Sequence, residues 1–154
     1  MRKLPVFVLA LILAVAAIGC DSEEDLSDRE ILVGSWTVVE VSDQEGDKTD
    51  VFEQGIEDFS ATLRNDGTYD LTVDFIDPQR PTVPLSGTYE LNESINTLVL
   101  NATLPTGPVA LPFEYDIESE TRVHLSIADT FVEAVFGSQP DTYVGDVVFT
   151  IEPA

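Results

Sequence analysis

The residues that could carry out chemistry in this chain are one cysteine, one histidine and 29 carboxylates. His124 alternates with apolar neighbours and falls on the outward face of a predicted strand, which is typical of a solvated surface side chain. A nucleophile, histidine and acid triad would need this histidine, and the Gly-x-Ser-x-Gly turn of many serine hydrolases does not occur. So many carboxylates always supply some close pair suited to hydrolysis, but no motif singles one pair out. The sequence therefore predicts a protein that is not an enzyme and uses no cofactor.

A cation site is the next possibility, because Asp43, Glu45, Asp47 and Asp50 place oxygen atoms at nearly alternate positions. Oxygen ligands suit calcium, but Gly46 does not stand at position six, where an EF-hand loop needs its glycine. Zinc sites use three or four protein ligands, and one histidine with one cysteine is too few for the usual sets. We predict no metal site and interpret this segment as a solvated loop, with calcium binding as the alternative.

The cysteine follows a hydrophobic leader. Residues 1–19 begin with Arg2 and Lys3, continue with a 15-residue apolar core over residues 4–18, and end on small residues. This is the pattern of a secretory signal peptide. The core is shorter than the roughly 18 to 20 residues that cross a bilayer as a helix, so a permanent transmembrane anchor is disfavoured.

The end of the leader resembles a bacterial lipobox through Ala17, Ile18, Gly19 and Cys20, although leucine is commoner where Ala17 stands. The resemblance implies cleavage before Cys20 and attachment of diacylglycerol to its sulfur. Two or three acyl chains, at about 0.8 kcal/mol per buried methylene, would hold the chain on a membrane. An ordinary cleaved signal with an incidental thiol is the alternative.

Residues 20–30 are polar and mostly acidic, and they predict a flexible tether, because a self-repelling run buries little apolar surface. Within it, Ser22–Asp25 resembles the signal that sends lipoproteins of some Gram-negative groups to the outer membrane or cell surface. Asp21 resembles a retention signal instead, which implies the periplasmic face of a membrane. We expect the surface location, since the acidic run continues well beyond one residue.

The charge excludes one class of partner. Without the leader, five basic residues remain against 29 acidic ones, a formal charge of −24. Nucleic acid is therefore excluded as a partner. A single lysine, Lys48, and acids scattered over the whole chain resemble proteins of salt-loving organisms. We predict that the fold needs high ionic strength, since salt screens self-repulsion. An acidic face for a cationic partner is the alternative, but it would cluster the charge.

The rest of the chain alternates apolar and polar residues in short segments, the pattern of strands with one buried face. The clearest case is residues 59–75, where Asn-Asp-Gly at 65–67 predicts a tight turn. Pro112 argues for an edge or a bulge in its strand, and residues 129–137 predict one short helix. Sequential antiparallel strands predict an eight-stranded up-and-down barrel, with an immunoglobulin-like sandwich as the alternative. The predicted strands are 32–41, 59–63, 69–75, 85–91, 98–104, 109–117, 123–127 and 143–151.

Residues 31–154 also resemble a lipocalin-like domain of bacterial lipoproteins. Gly34 and Trp36 match the Gly-x-Trp motif of that superfamily, and residues 63–69 are similar to its Asp-Gly-Thr-aromatic hairpin. The resemblance implies a barrel with Trp36 packed across one closed end and a small hydrophobic ligand inside. The arginine that follows the last strand in lipocalins has no counterpart after Ile151.

Five aromatic residues on inward positions are the candidate ligand-binding residues: Tyr69, Phe75, Tyr89, Phe113 and Tyr115. They could line a cavity, where phenol hydroxyls would orient a bound apolar molecule. Alternatively, they fill the barrel as core. The sequence thus predicts a lipid-anchored binding protein, with a filled envelope structural or interaction module as the alternative.

Overall fold

The computed structural model describes residues 26–80, 82–104, 107–136 and 142–154. Three short helices and nine strands lie in these ranges. The helices are α1 (Asp28–Leu32), α2 (Thr49–Gly55) and α3 (Asp129–Phe136). The strands are β1 (Gly34–Asp43), β2 (Gly46–Asp47), β3 (Ile56–Leu63), β4 (Thr68–Phe75), β5 (Val83–Asn92), β6 (Thr97–Leu104), β7 (Gly107–Ser119), β8 (Arg122–Ala128) and β9 (Asp146–Pro153). All eight predicted strands are confirmed, and the two-residue β2 is an addition.

The strands form one closed antiparallel barrel. From β3 to β9 each strand pairs with its neighbour in the chain, and β1 pairs with β3 on one side and β9 on the other. Eight strands therefore close the wall, while β2 only extends β1 as a short hairpin. Pairing in chain order confirms the up-and-down barrel and excludes the Greek-key order of an immunoglobulin-like sandwich.

The hairpin of β3 and β4 forms where the sequence predicts it, with Leu63 opposite Tyr69. Gly67 takes a φ of 82°, which a residue without a Cβ adopts at low cost. The Asp66 carboxylate accepts a hydrogen bond from the Thr68 N–H at 3.0 Å. The positive φ of glycine and the backbone hydrogen bond of the aspartate side chain explain why both residues are common in tight turns.

Pro112 lies at an effective edge, as predicted. It pairs with Val99 of β6, whereas pairing of β7 with β8 begins only at Glu114 and Ser126. The backbone N–H that proline lacks is therefore absent at a position where β7 pairs with only one neighbouring strand.

The apolar face of every barrel strand turns inward and forms one core. Gly87 marks a close approach in the wall, because a Cβ built there would lie 1.9 Å from the Asn101 carbonyl oxygen and 3.3 Å from Cε1 of Tyr69. The Tyr69 ring thus covers a position that only glycine can occupy without displacing its neighbours.

The barrel has two distinct ends. Helix α1 and the turns at 64–67, 93–96 and 120–121 lie at the first, which we call the α1 end. Helices α2 and α3 and residues 76–80 lie at the opposite or far end. None of the described helices has the length and hydropathy of a membrane-spanning segment.

Two expectations need correction. Residues 28–30 are helical rather than part of a flexible tether, because the Ser27 side chain and the Glu30 carboxylate form a capping box that starts α1. At most one short helix was expected, but three occur, since α1 and α2 gain their stability by burying Leu32 and Phe52 against the barrel. Residues 20–25, and with them Cys20, lie outside the described residues.

Candidate functional site

The candidate site is a cavity of about 60 Å³ inside the barrel. Among the described residues, every side chain that lines it is apolar or aromatic. The lining runs from Trp36 and Leu32 at the α1 end to Phe131 and Val132 of α3 at the far end. Such a surface offers dispersion contacts and no orienting polar group, so it can hold only an apolar molecule or none.

The structure brings one of the five candidate ligand-binding residues to this cavity. Phe113 is among the lining side chains. Tyr69, Phe75, Tyr89 and Tyr115 are buried and face inward, but they do not line the cavity. They pack beside the lining side chains and belong to the same core.

Two of the three candidate phenol hydroxyls form hydrogen bonds with the protein, and none of the three tyrosines lines the cavity. Tyr89 donates a hydrogen bond to the Arg64 carbonyl at 2.7 Å, and Tyr115 donates to the Asp28 carboxylate at 2.6 Å. Burial, together with the Asp28 carboxylate, raises the pKa of Tyr115. The Tyr69 hydroxyl is buried without a hydrogen-bond partner among the described residues, and burial raises its pKa. Two of these hydroxyls therefore fix the α1 end.

The α1 end is closed by α1. Leu32 is 2 % exposed, and its carbonyl accepts a hydrogen bond from Nε1 of Trp36 at 2.9 Å. The Arg29 guanidinium lies 5.7 Å from the centre of the Tyr89 ring, within the range of a cation–π contact. Helix α1 thus supplies both a cation and an apolar cover at this end.

An aromatic cluster fills the far end below α2. Phe52 meets Phe59 and Phe149 edge to face at 6.3 and 5.9 Å between ring centres. Phe59 and Phe149 stack at 6.3 Å with an interplanar angle of 8°. Both also line the cavity. The cluster therefore closes the space between the cavity and α2.

The acidic loop considered for calcium contains its own cation. The Lys48 ammonium lies 2.9 Å from a carboxylate oxygen of Glu45 and 3.6 Å from one of Asp43. The Asp43 side chain is fully buried, and it accepts hydrogen bonds from the N–H groups of Glu45 at 2.8 Å and Val144 at 2.9 Å. Burial alone would raise the pKa of Asp43, but these donors and Lys48 outweigh it and lower the pKa. A divalent cation would have to displace Lys48.

His124 belongs to an outer-surface cluster that the sequence did not indicate. Its Nδ1 lies 3.0 Å from the Thr150 hydroxyl and its Nε2 lies 3.1 Å from the Glu118 carboxylate. A hydroxyl, an imidazole and a carboxylate in this order resemble a catalytic triad. However, Thr150 is only 4 % exposed, so its hydroxyl is not open to a substrate.

Arg122 organises the same cluster. It forms ion pairs with Glu40 and Glu118, both at 3.1 Å, and with Glu152. These residues belong to β1, β7 and β9, while Arg122 belongs to β8. The arginine thus spans the seam where β9 closes on β1. Sequence alternation placed it on the outer face but could not reveal which carboxylates surround it.

Comparison with known families gives one match. Residues 18–136 match the model of the family described as domain of unknown function (DUF5004). The match ends with α3, before β9, the strand that closes the barrel. No curated protein matches the chain.

Proposed function

We propose that this chain, which belongs to the DUF5004 family, is a lipid-anchored, non-enzymatic envelope protein with a filled barrel that acts through its outer surface. The volume of the interior carries this proposal. A cavity of about 60 Å³ is far smaller than the roughly 300–1,000 Å³ of small-molecule pockets. It is also smaller than the engineered cavity of about 150 Å³ that binds benzene. The inward aromatics therefore serve as core.

Binding of a slender apolar molecule is the second candidate, and one observation favours it. The cavity has an uninterrupted apolar lining from Trp36 to Phe131, so any displacement of α3 would enlarge a surface suited to a hydrocarbon chain. This is the role that the resemblance to lipocalins implies. Chain-order pairing in an eight-stranded barrel and Trp36 beneath α1 support a place in or near that superfamily.

The anchor is the second part of the proposal. The lipobox-like residues that end at Cys20 support lipidation, and an anchored barrel would occupy the outer membrane or the cell surface. The periplasmic face of a membrane is the alternative location. Because the mature chain carries five basic and 29 acidic residues, attraction to anionic lipid cannot replace the acyl chains.

A binding measurement tests the filled interior. The mature chain, residues 20–154 with Cys20→Ser, is expressed without the leader, so that neither the leader nor an acyl chain can compete. It is titrated with palmitate in 1 M salt by isothermal titration calorimetry. We expect no saturable heat, since the cavity is too small for the chain. Saturable binding of one palmitate that disappears in Ala61→Val, where the added methyl groups enter the cavity, would contradict the filled interior and establish the second candidate.

A further inference from the structure

We infer that the lipid anchor holds the α1 end of the barrel against the bilayer, so that the far end, with α2 and α3, points away from the membrane. The partner of the α1 end is the surface of the membrane that carries the anchor. This inference rests on the proposed lipidation of Cys20.

The segment that links the anchor to the barrel is short. Six residues, 21–26, separate Cys20 from Ser27, the residue that caps α1. Seven residue steps at about 3.6 Å span at most about 25 Å when fully extended. An eight-residue strand tilted by about 40° makes a wall roughly 20 Å tall. The segment starts from the α1 end, and only when it is fully extended is it about as long as the barrel is tall. The far end could therefore face the bilayer only if the segment were stretched along the whole barrel wall.

The attachment point of this segment is fixed on the barrel. The Ser27 N–H donates to the Glu30 carboxylate at 2.9 Å, and the Glu30 N–H donates to the Ser27 hydroxyl at 3.3 Å. Leu32 is buried, and Asp28 accepts the hydrogen bond from Tyr115. Unwinding α1 to lengthen the segment would break these contacts. The anchor therefore pulls on the α1 end itself.

The α1 end presents exposed apolar side chains to a bilayer. Ile95, in the turn between β5 and β6, is 64 % exposed, and Leu26 is 44 % exposed. The Asn96 carbonyl beside Ile95 accepts a hydrogen bond from the Tyr115 N–H at 2.9 Å, which fixes this turn next to α1. Two apolar side chains thus project where the linking segment brings the barrel to the lipid, and they suit the bilayer interface. The far end exposes Val51, Ile76 and Val144 as well, so the position of the anchor, and not the number of apolar side chains, sets the orientation.

The test compares matched labels at the two ends of the full-length lipidated protein. Because Cys20 is the only cysteine and its sulfur carries the lipid, an added cysteine is a unique labelling site. Glu93→Cys places a fluorophore at the α1 end and Glu53→Cys places it on α2; both replace an exposed glutamate. The proteins are reconstituted in phosphatidylcholine vesicles that contain a headgroup-labelled quenching lipid. We expect several-fold stronger quenching at position 93, and equal quenching or stronger quenching at position 53 would overturn the orientation.

Two further measurements separate the possible failures. The intact mass of each protein reports whether diacylglycerol is attached to Cys20. An unmodified mass would overturn the proposed anchoring and the orientation with it, whereas a modified mass with equal quenching would overturn the orientation alone. Leu32→Ala provides a third readout, because it loosens α1 without touching the anchor. We expect it to reduce the difference between the two labels while the circular dichroism of the barrel remains, and an unchanged difference would count against a fixed α1.

Discussion

Three buried tyrosines in the wall of this barrel differ in what their hydroxyls meet. Tyr115 donates to Asp28, Tyr89 donates to a backbone carbonyl, and Tyr69 has no partner among the described residues. Sequence alternation correctly predicted that all three face inward. It could not predict their different roles, because alternation fixes the face of a strand and not the level along the barrel axis or the groups found there.

The hydroxyl contacts predict opposite outcomes for two identical substitutions. Tyr115→Phe should lower the free energy of unfolding by about 1–2 kcal/mol, since it removes a hydrogen bond to a charged group. Tyr69→Phe should be neutral or stabilising, since it removes a buried hydroxyl that has no described partner. Urea unfolding at fixed high salt measures both. A larger loss in Tyr69→Phe than in Tyr115→Phe would contradict these roles.

A pair of glycines provides a second residue-scale prediction. Gly87→Ala should destabilise the protein by about 1–3 kcal/mol, because its Cβ would meet the Asn101 carbonyl and the strands would have to move apart. Gly55→Ala is the control, since a Cβ there meets nothing within 4 Å and alanine favours the helix. Thermal unfolding of the two variants and the parent gives the melting temperatures to be compared. Equal melting temperatures would show that β5 and β6 tolerate the methyl group.

At the scale of elements, Asp43 ties the β1–β2 hairpin to the segment before β9 through the Val144 N–H. Its folded pKa is below the ordinary value of 3.8. A lowered carboxyl pKa adds stability that is complete above the unfolded pKa of about 4 and is lost as the pH falls through the lower folded value. We therefore expect Asp43→Asn to be less stable than the parent at neutral pH and to lose less stability on acidification below pH 4.

The control for this prediction is Asp50→Asn, which removes the same charge from an exposed position in α2. Unfolding is followed between pH 2 and pH 7 for both variants and the parent. Parallel stability curves for Asp43→Asn and Asp50→Asn would contradict the proposed role of Asp43.

The elements differ in how far the sequence predicts them. The strands were predicted because side-chain alternation and turn residues are local signals. Helix α1 also carries a local signal, the Ser-x-x-Glu of residues 27–30, but the acidic run around it favoured a tether. The ion pairs of Arg122 could not be predicted, because they depend on the register of four strands brought together by barrel closure.

At the scale of the whole molecule, the acidic surface predicts a dependence on salt. The free energy of unfolding should rise as sodium chloride increases from 0.1 M to 1 M, because the Debye length falls from about 10 Å to about 3 Å and repulsion among carboxylates weakens. Thermal unfolding at a series of salt concentrations measures the effect, with an uncharged osmolyte at matched osmolality as the control. Full stability in dilute buffer would contradict this prediction.

The volume of the interior also belongs to this scale. The sequence allowed either a filled core or a ligand cavity, because an eight-stranded barrel is just wide enough for both. Only the packing of side chains from all strands decides between them, and here it leaves about 60 Å³.

Mass spectrometry of the protein purified from its own membranes, under native and then denaturing conditions, tests this conclusion most directly. We expect one mass in both spectra, that of the mature chain with diacylglycerol on Cys20. A heavier native mass that loses one stoichiometric lipid on denaturation would contradict the filled barrel, and an unmodified chain would contradict the anchor.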